Sequence, residues 1–158
     1  MSISAYVGID PGSTGAIAFL GENEEFLAII DYPGSSSELW MVLQDLKAIQ
    51  VNLAILEQVH SMPKQGVATT FKFGTNFGIW QMACSAMEWP TELITPQRWR
   101  KILDSSVPLK PEKEDLRQYA LRKWPEASNY LKRKKDHGRA EAMIMSMYAK
   151  LKMMGKAK

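Results

Sequence analysis

Cysteine and long apolar runs are both scarce in this chain of 158 residues. Its single cysteine, Cys84, excludes a disulfide framework, and its place in GIWQMACSAMEW favours a small buried residue over a nucleophile or a metal ligand. No stretch reaches the roughly 18 apolar residues of a membrane span, and the start, MSISAYVGID, lacks the basic and apolar regions of a signal peptide. We therefore expect a soluble, unprocessed protein of a reducing compartment, the cytoplasm.

Basic residues are scarce in the first part of the chain. Residues 1–90 contain three (Lys47, Lys64 and Lys72) against nine acidic ones, a net charge of −6, whereas residues 91–158 carry +9. The second part is therefore the candidate to contact a polyanion. Scattered lysines fit a solvated surface, but the run KRKK at 132–135, directly before DHGRAE, favours nucleic acid over that alternative.

The order of the predicted elements indicates one α/β domain over residues 1–158, since no repeat or linker divides the chain. AYVGID, GAIAFL and FLAIIDY predict three strands of an antiparallel meander, and ELWMVLQDLKAI predicts a helix. VNLAILEQV predicts a buried strand that runs parallel beside the first. Then follow a loop (SMPKQGVATT), a long helix (FKFGTNFGIWQMACSAMEW), a strand (TELIT), a helix (KPEKEDLRQYALRKW) and a last helix over about 136–153.

Isolated carboxylates stand where the chain is about to be buried. Asp10 and Glu57 end two strands predicted to be neighbours, and Glu141 lies on the inward face of the last helix. A buried, unpaired carboxylate costs several kcal/mol, so each needs a partner, a proton or a cation. For Asp10, the following PGSTG leaves a turn-forming role as an alternative. Convergence on a divalent metal would explain all three, and hard oxygen ligands favour Mg²⁺ or Mn²⁺ over structural zinc.

Two residues near the start of the last helix are candidates for a fourth ligand. His137 lies four residues before Glu141 and shares its helix face. Asp136, five residues before, points about 140° away unless the helix begins later.

Several segments resemble the RuvC class of Holliday-junction resolvases, within the ribonuclease H-like superfamily. VGIDPGSTGAIAF resembles the first strand of that class, and AILEQVHSM with FKFGTNFG resembles the second acidic strand and the next helix. KPEKEDLRQYA and DHGRAEAMIMSMYAK resemble the later basic helix and the acidic C-terminal helix, while TPQRWRKIL and RAEA look like phage-type members. The match covers almost the whole chain and implies a ribonuclease H-like fold, with a central five-stranded mixed sheet flanked by helices.

The resemblance also implies a metal site. Asp10 matches the aspartate of the first strand, Glu57 the glutamate of the second, and Glu141 the last acid of the final helix. The family's fourth ligand stands three or four positions before that acid, and here it falls to His137, with Asp136 as the alternative. Two Mg²⁺ or Mn²⁺ ions are implied, with Asp10 bridging both, Glu57 on one, and Glu141 with His137 on the other.

The implied activity is that of a crossover junction endodeoxyribonuclease, which resolves four-way DNA junctions by paired symmetrical nicks and leaves 5′-phosphate and 3′-hydroxyl ends. Lys113 would neutralise the scissile phosphate unless it is a surface lysine at a helix start. His60 stands where the family has a stacking aromatic, and an ordinary loop histidine is the alternative. Further DNA contacts are assigned to Lys72, Lys132, Arg133, Lys134, Lys135 and Arg139.

The resemblance further implies a homodimer in the cytoplasm of a bacterium or of a phage-infected host. Gly74, Gly78 and Ala83 in the long helix would permit close helix contact, although burial in the core predicts a similar pattern. Two other functions stay open: a nuclease for flaps, other branches or RNA-containing duplexes, and a DNA-binding module without catalysis. Reading GIDPGSTG as the phosphate loop of an actin-like ATPase would require two domains, for which the chain is too short.

Overall fold

A five-stranded mixed sheet forms the centre of the computed structural model, which describes residues 2–158. In chain order its strands are β1 (Ile3–Ile9), β2 (Ala16–Gly21), β3 (Phe26–Asp31), β4 (Ile49–Glu57) and β5 (Thr91–Ile94). The spatial order is β3-β2-β1-β4-β5, with β1 antiparallel to β2, β2 antiparallel to β3, and β4 parallel to both β1 and β5. The predicted meander and the fourth strand beside the first are confirmed.

The helices are α1 (Ser36–Asp45), α2 (Val67–Ala86), α3 (Pro96–Trp99), α4 (Lys113–Lys123) and α5 (His137–Met153). Short 3₁₀ segments cover 100–102, 125–130 and 134–136. The predicted loop before α2 is too long, because the helix already begins after Gly66. The N-cap residue, Gly66, has no side chain that could cap the helix, so the usual sequence signal for a helix start is missing here.

The helices cover the two faces of the sheet. Leu39 and Leu43 of α1 and Trp80 of α2 pack with one set of strand side chains, and the buried Cys84 belongs to this core, as its sequence context predicts. The residues of α4 and α5 form the second core on the opposite face, where Tyr148 is fully buried. Within residues 2–158, no helix is both long and apolar enough to cross a membrane.

Candidate active site

The adjacent ends of two parallel strands bring Asp10 and Glu57 together. Ile9 of β1 pairs with Leu56 of β4, so the next residues, Asp10 and Glu57, lie side by side where the strands end. Successive side chains of a strand point to opposite faces, and Gly8 lies against α5. Both carboxylates are therefore on the face of the sheet that α5 covers.

This register depends on a bulge in β4. The offset between paired residues changes by one after Ala5, where β4 contributes the extra residue Asn52. The Asn52 side-chain nitrogen donates a 2.7 Å hydrogen bond to Ser4 Oγ. Without the bulge, Leu56 would lie level with the β1 carboxylate and Glu57 would be one residue further along.

Helix α5 supplies the third carboxylate, Glu141. A Cβ on Gly8 would stand 2.0 Å from the Ala142 carbonyl oxygen, so glycine is required for the backbone of α5 to approach β1 this closely. Ser146 Oγ also donates a 2.9 Å hydrogen bond to the Ala18 carbonyl of β2. Glu141, only 7% exposed, is thereby fixed beside the other two acids.

The three carboxylates perturb one another. Burial, and then the charge of Asp10, raises the pKa of Glu57 to about 7. Burial, followed by the charges of Asp10 and Glu57, raises the pKa of Glu141 to about 8. Burial also raises the pKa of Asp10, against the opposing effects of a backbone hydrogen bond and of nearby positive charge. Three mutually repelling acids in one place favour an added proton or a bound cation.

Asp10 has the turn-forming role considered for it in the sequence, and one of its carboxylate oxygens is left outside the turn. Its Oδ1 accepts a 2.9 Å hydrogen bond from the Gly12 N–H, so the turn is present. Its Oδ2 faces the start of α5, where a Cβ on Gly138 would lie 2.9 Å from this oxygen and 2.9 Å from the Thr14 carbonyl. The close packing explains why the position three residues before Glu141 carries no side chain.

His137 and Asp136 have different surroundings. His137 Nδ1 lies 3.7 Å from Glu141 Oε1, beyond hydrogen-bond distance, and this buried nitrogen has no hydrogen-bond partner among residues 2–158. Burial, and secondarily the charge of Lys113, lowers the pKa of His137. Asp136 is 4% exposed and accepts hydrogen bonds from the backbone and the guanidinium of Arg133 on its two oxygens. The histidine is therefore available as a ligand, whereas the aspartate is occupied.

Two residues that the sequence reasoning did not single out adjoin the acids. Trp99, fully buried, donates a 2.8 Å hydrogen bond from Nε1 to Glu57 Oε2. The guanidinium of Arg100 lies over the Trp99 ring at 5.1 Å, and its charge opposes the rise in the pKa values of Glu57 and Glu141. The adjacent Trp and Arg in TPQRWRKIL were a possible sign of a functional site. The sequence could not show which residues they contact, because those residues are distant along the chain.

The donor chemistry of the cluster fits a hard divalent cation. Within residues 2–158 no Lys or Arg forms a salt bridge with the three carboxylates, and His137 Nδ1 faces Glu141 at a separation that one ion could span. As the side chains stand, no group of three or more His, Cys, Asp or Glu residues in 2–158 is close enough to hold an ion.

Two cavities that reach His137 are lined in part by basic side chains. A groove of about 540 Å³ is lined by Arg100, Lys113, Lys134 and His137, among others. A second cavity of about 370 Å³, also reaching His137, is lined by Arg133 and Lys135. Lys113, exposed at the start of α4, is close enough for its charge to lower the pKa values of Asp10 and Glu141. The structure thus brings Lys113, Lys134 and Lys135 to cavities that reach His137, and it brings Lys113 within electrostatic reach of Asp10 and Glu141.

The remaining predicted DNA contacts are arranged differently. Arg133 is bound to Asp136, and Arg139 donates hydrogen bonds of 2.7 and 2.6 Å to Asp31. Lys132 is exposed in the same segment. His60, after β4, and Lys72, on α2, are exposed, and neither forms a hydrogen bond or ion pair with the acids in the described part of the chain.

Solved structures of RuvC are similar to the whole chain. Thermus thermophilus RuvC in complex with a Holliday junction substrate matches with a TM-score of 0.64 and 18% identity, covering 100% of this chain and 99% of that chain. Another Thermus thermophilus RuvC structure matches with a TM-score of 0.55 and 18% identity, covering 99% and 98%. No protein-family model and no curated protein matches the sequence.

These similarities, with the observed order of strands, establish a class of fold. The chain has the ribonuclease H-like fold of these RuvC structures, as the resemblance in its sequence predicts.

Proposed function

We propose that this protein is a metal-dependent, structure-selective endonuclease that resolves four-way DNA junctions by paired symmetrical nicks. The observation that carries the proposal is the convergence of Asp10, Glu57 and Glu141, from β1, β4 and α5, beside grooves lined by basic residues. The RuvC fold supports it, since a similar RuvC structure contains a Holliday junction substrate. In this proposal residues 1–158 form one nuclease domain.

The three acids and His137 are the proposed ligands of two Mg²⁺ or Mn²⁺ ions. Such ions, when bound, supply an activated water and stabilise the leaving 3′ oxygen, giving 5′-phosphate and 3′-hydroxyl ends. Asp10 offers Oδ2, because Oδ1 is held by the turn, and His137 offers its unpartnered Nδ1. Lys113 neutralises the scissile phosphate from the rim of the groove.

The proposed path of the DNA backbone crosses the exposed lysines around His137. Lys132, Lys134 and Lys135 contact phosphates directly, since all three are exposed and form no ion pair within residues 2–158. Arg133 and Arg139 contribute positive charge while their guanidinium groups stabilise the segment. His60 stacks on an opened base and Lys72 contacts a more distant phosphate.

A homodimer would give a two-fold junction two active sites. The proposed interface is the groove of about 330 Å³ between α1 and α2, which Trp40, Ile79 and Met82 help to line. Met82 is 68% exposed there, and a Cβ on Gly74 or Gly78 would meet nothing within 4 Å. The exposed apolar side chains and small residues of α2 permit a close helix contact between two copies.

The decisive experiment compares cleavage of a labelled four-way junction with that of a flap, a linear duplex and an RNA-containing duplex, in Mg²⁺, Mn²⁺ and EDTA. We expect paired nicks confined to the junction and dependent on metal. The control is Asp10→Asn, which retains the oxygen needed for the turn and is expected to bind the junction without cutting it.

Each other result has a definite meaning. Cleavage spread over flaps or RNA would replace the proposal with a broader nuclease of the same fold. Junction binding without cleavage under every condition would indicate a DNA-binding module. Cleavage that persists in EDTA, or in Asp10→Asn at the wild-type rate, would contradict the assigned site.

A further inference from the structure

An indole N–H fixes one oxygen of Glu57. Trp99 Nε1 donates a 2.8 Å hydrogen bond to Glu57 Oε2, and both side chains are buried, at 0% and 9% exposure. The other oxygen, Oε1, accepts none of the side-chain hydrogen bonds found in residues 2–158. In a buried environment such a charge-assisted hydrogen bond is strong and directional, so the carboxylate plane is held in one orientation.

The fold delivers Trp99 to this position through β5. Glu57 pairs with Ile94 at the end of β5, and the Gln58 N–H donates to the Ile94 carbonyl. Pro96 starts α3 two residues later, and this single turn of helix sets Trp99 over the end of β4. The indole therefore rests on rigid elements rather than on a loop.

The same ring also supports Arg100. The guanidinium carbon lies 5.1 Å from the centre of the Trp99 ring, and in the described part of the chain the buried Arg100 Nε has no hydrogen-bond partner. Stacking on the indole thus takes the place of an acceptor in holding the guanidinium at the edge of the groove.

We propose that Trp99 is a positioning residue of the metal site: it holds Glu57 Oε2 so that Oε1 is left to bind the cation. This inference rests on the proposed function, because it assigns Glu57 as a ligand. Hydrogen bonds that orient metal ligands typically affect metal affinity by about 10- to 100-fold. Trp99 acts through Glu57 and does not itself touch the metal.

The first test needs neither metal nor activity. In protein labelled with ¹⁵N-tryptophan, the Trp99 indole signal is the one that Trp99→Phe removes. In Glu57→Ala we expect this signal to move upfield, because its carboxylate acceptor is lost, while the other indole signals stay in place. An unchanged Trp99 signal would overturn the inference.

The second test measures Mn²⁺ affinity by calorimetry without DNA. Trp99→Phe removes the N–H but keeps an aromatic face beneath Arg100. Trp124→Phe is the matched control, since Trp124 is 2% exposed and donates a 2.9 Å hydrogen bond from Nε1 to the Glu24 carbonyl, away from the acids. We expect affinity about tenfold weaker in Trp99→Phe and unchanged in Trp124→Phe.

The results separate this inference from the proposed function. Equal Mn²⁺ affinities in wild type and Trp99→Phe would overturn the positioning role and leave the nuclease proposal intact. A wild-type protein that binds no Mn²⁺ and cuts nothing would overturn both. If Trp99→Phe does not fold, the wild-type spectrum decides, with its indole signals assigned by triple-resonance experiments. Mg²⁺ must then perturb the Trp99 indole signal more than that of Trp124, and an equal response would overturn the inference.

Discussion

At the residue scale, two glycines determine how closely α5 approaches the sheet. Gly8 admits the backbone of α5 at Ala142, and Gly138 leaves room for the Asp10 carboxylate beside the first turn of that helix. Neither glycine has a positive φ, so the requirement is space rather than backbone conformation. The acids therefore depend on residues that contribute no functional group.

Gly138→Ala is expected to damage both the site and the fold. The added Cβ would lie 2.9 Å from Asp10 Oδ2 and 2.9 Å from the Thr14 carbonyl oxygen. Because the Thr14 carbonyl belongs to the backbone, it can move away only if the whole turn after β1 shifts. We expect a loss of about 1–3 kcal/mol in the free energy of unfolding, measured by urea denaturation, and at least a tenfold loss of junction cleavage.

The control is Gly66→Ala, because a Cβ on that exposed glycine, which has a negative φ, would meet only Thr69 Oγ1, at an ordinary contact distance of 3.8 Å. This substitution should leave the free energy of unfolding within about 1 kcal/mol of the wild type. Wild-type cleavage and stability in Gly138→Ala would show that the close approach is not required.

His137→Ala and Asp136→Ala are expected to have opposite profiles. Within residues 2–158, His137 Nδ1 has no hydrogen-bond partner. His137→Ala should therefore lower junction cleavage more than Asp136→Ala does, with little change in melting temperature. Asp136 anchors Arg133, so its removal should cost about 1–3 kcal/mol of stability. Cleavage assays and thermal melts on both variants check this, and the reverse ranking for cleavage would reassign the fourth ligand.

At the scale of elements, the 3₁₀ segment 134–136 before α5 joins a structural contact to part of the proposed DNA-binding surface. Arg133, directly before the segment, binds Asp136, while Lys132, Lys134 and Lys135 are exposed. Changing these three lysines to Gln should weaken junction binding and reduce the slope of log K against log salt by about 0.9 for each phosphate that is no longer neutralised. Binding isotherms at several salt concentrations measure the slope.

A matched variant carries Gln at Lys47, Lys156 and Lys158, which are exposed elsewhere on the chain. It removes the same charge and should leave the slope close to that of the wild type. Equal slopes in the two triple variants would show that the lysines before α5 are only a solvated surface.

At the scale of the whole molecule, the proposed dimer places α2 against its copy. Met82→Glu puts a charge into the apolar groove between α1 and α2 and should convert the dimer to a monomer in sedimentation velocity. Junction cleavage should then lose the coupling between the two nicks. Met62→Glu is the control, because Met62 has the same 68% exposure but lies in the loop before α2. Identical sedimentation of wild type and both variants would contradict this interface.

Much of this architecture could be predicted because its signals are local. Alternation and short apolar runs marked the strands, helical spacing marked α1 and α5, and acids at strand ends marked Asp10 and Glu57. The start of α2 was missed because no capping side chain marks it. The pairing of Arg133 with Asp136 was also missed, since a run of basic residues gives no sign of which of them is engaged within the fold.

The sequence by itself determined the order of the strands and of the four longer helices, the sheet type and the three acidic candidates, because periodicity and turn chemistry act between residues that are close in the chain. It gave no sign of the short helix α3. Only the tertiary structure decided that the bulge at Asn52 sets Glu57 level with Asp10, and that Trp99 binds a carboxylate 42 residues away. Such contacts depend on how distant segments pack, and a change of one residue in register would remove them without altering any local pattern.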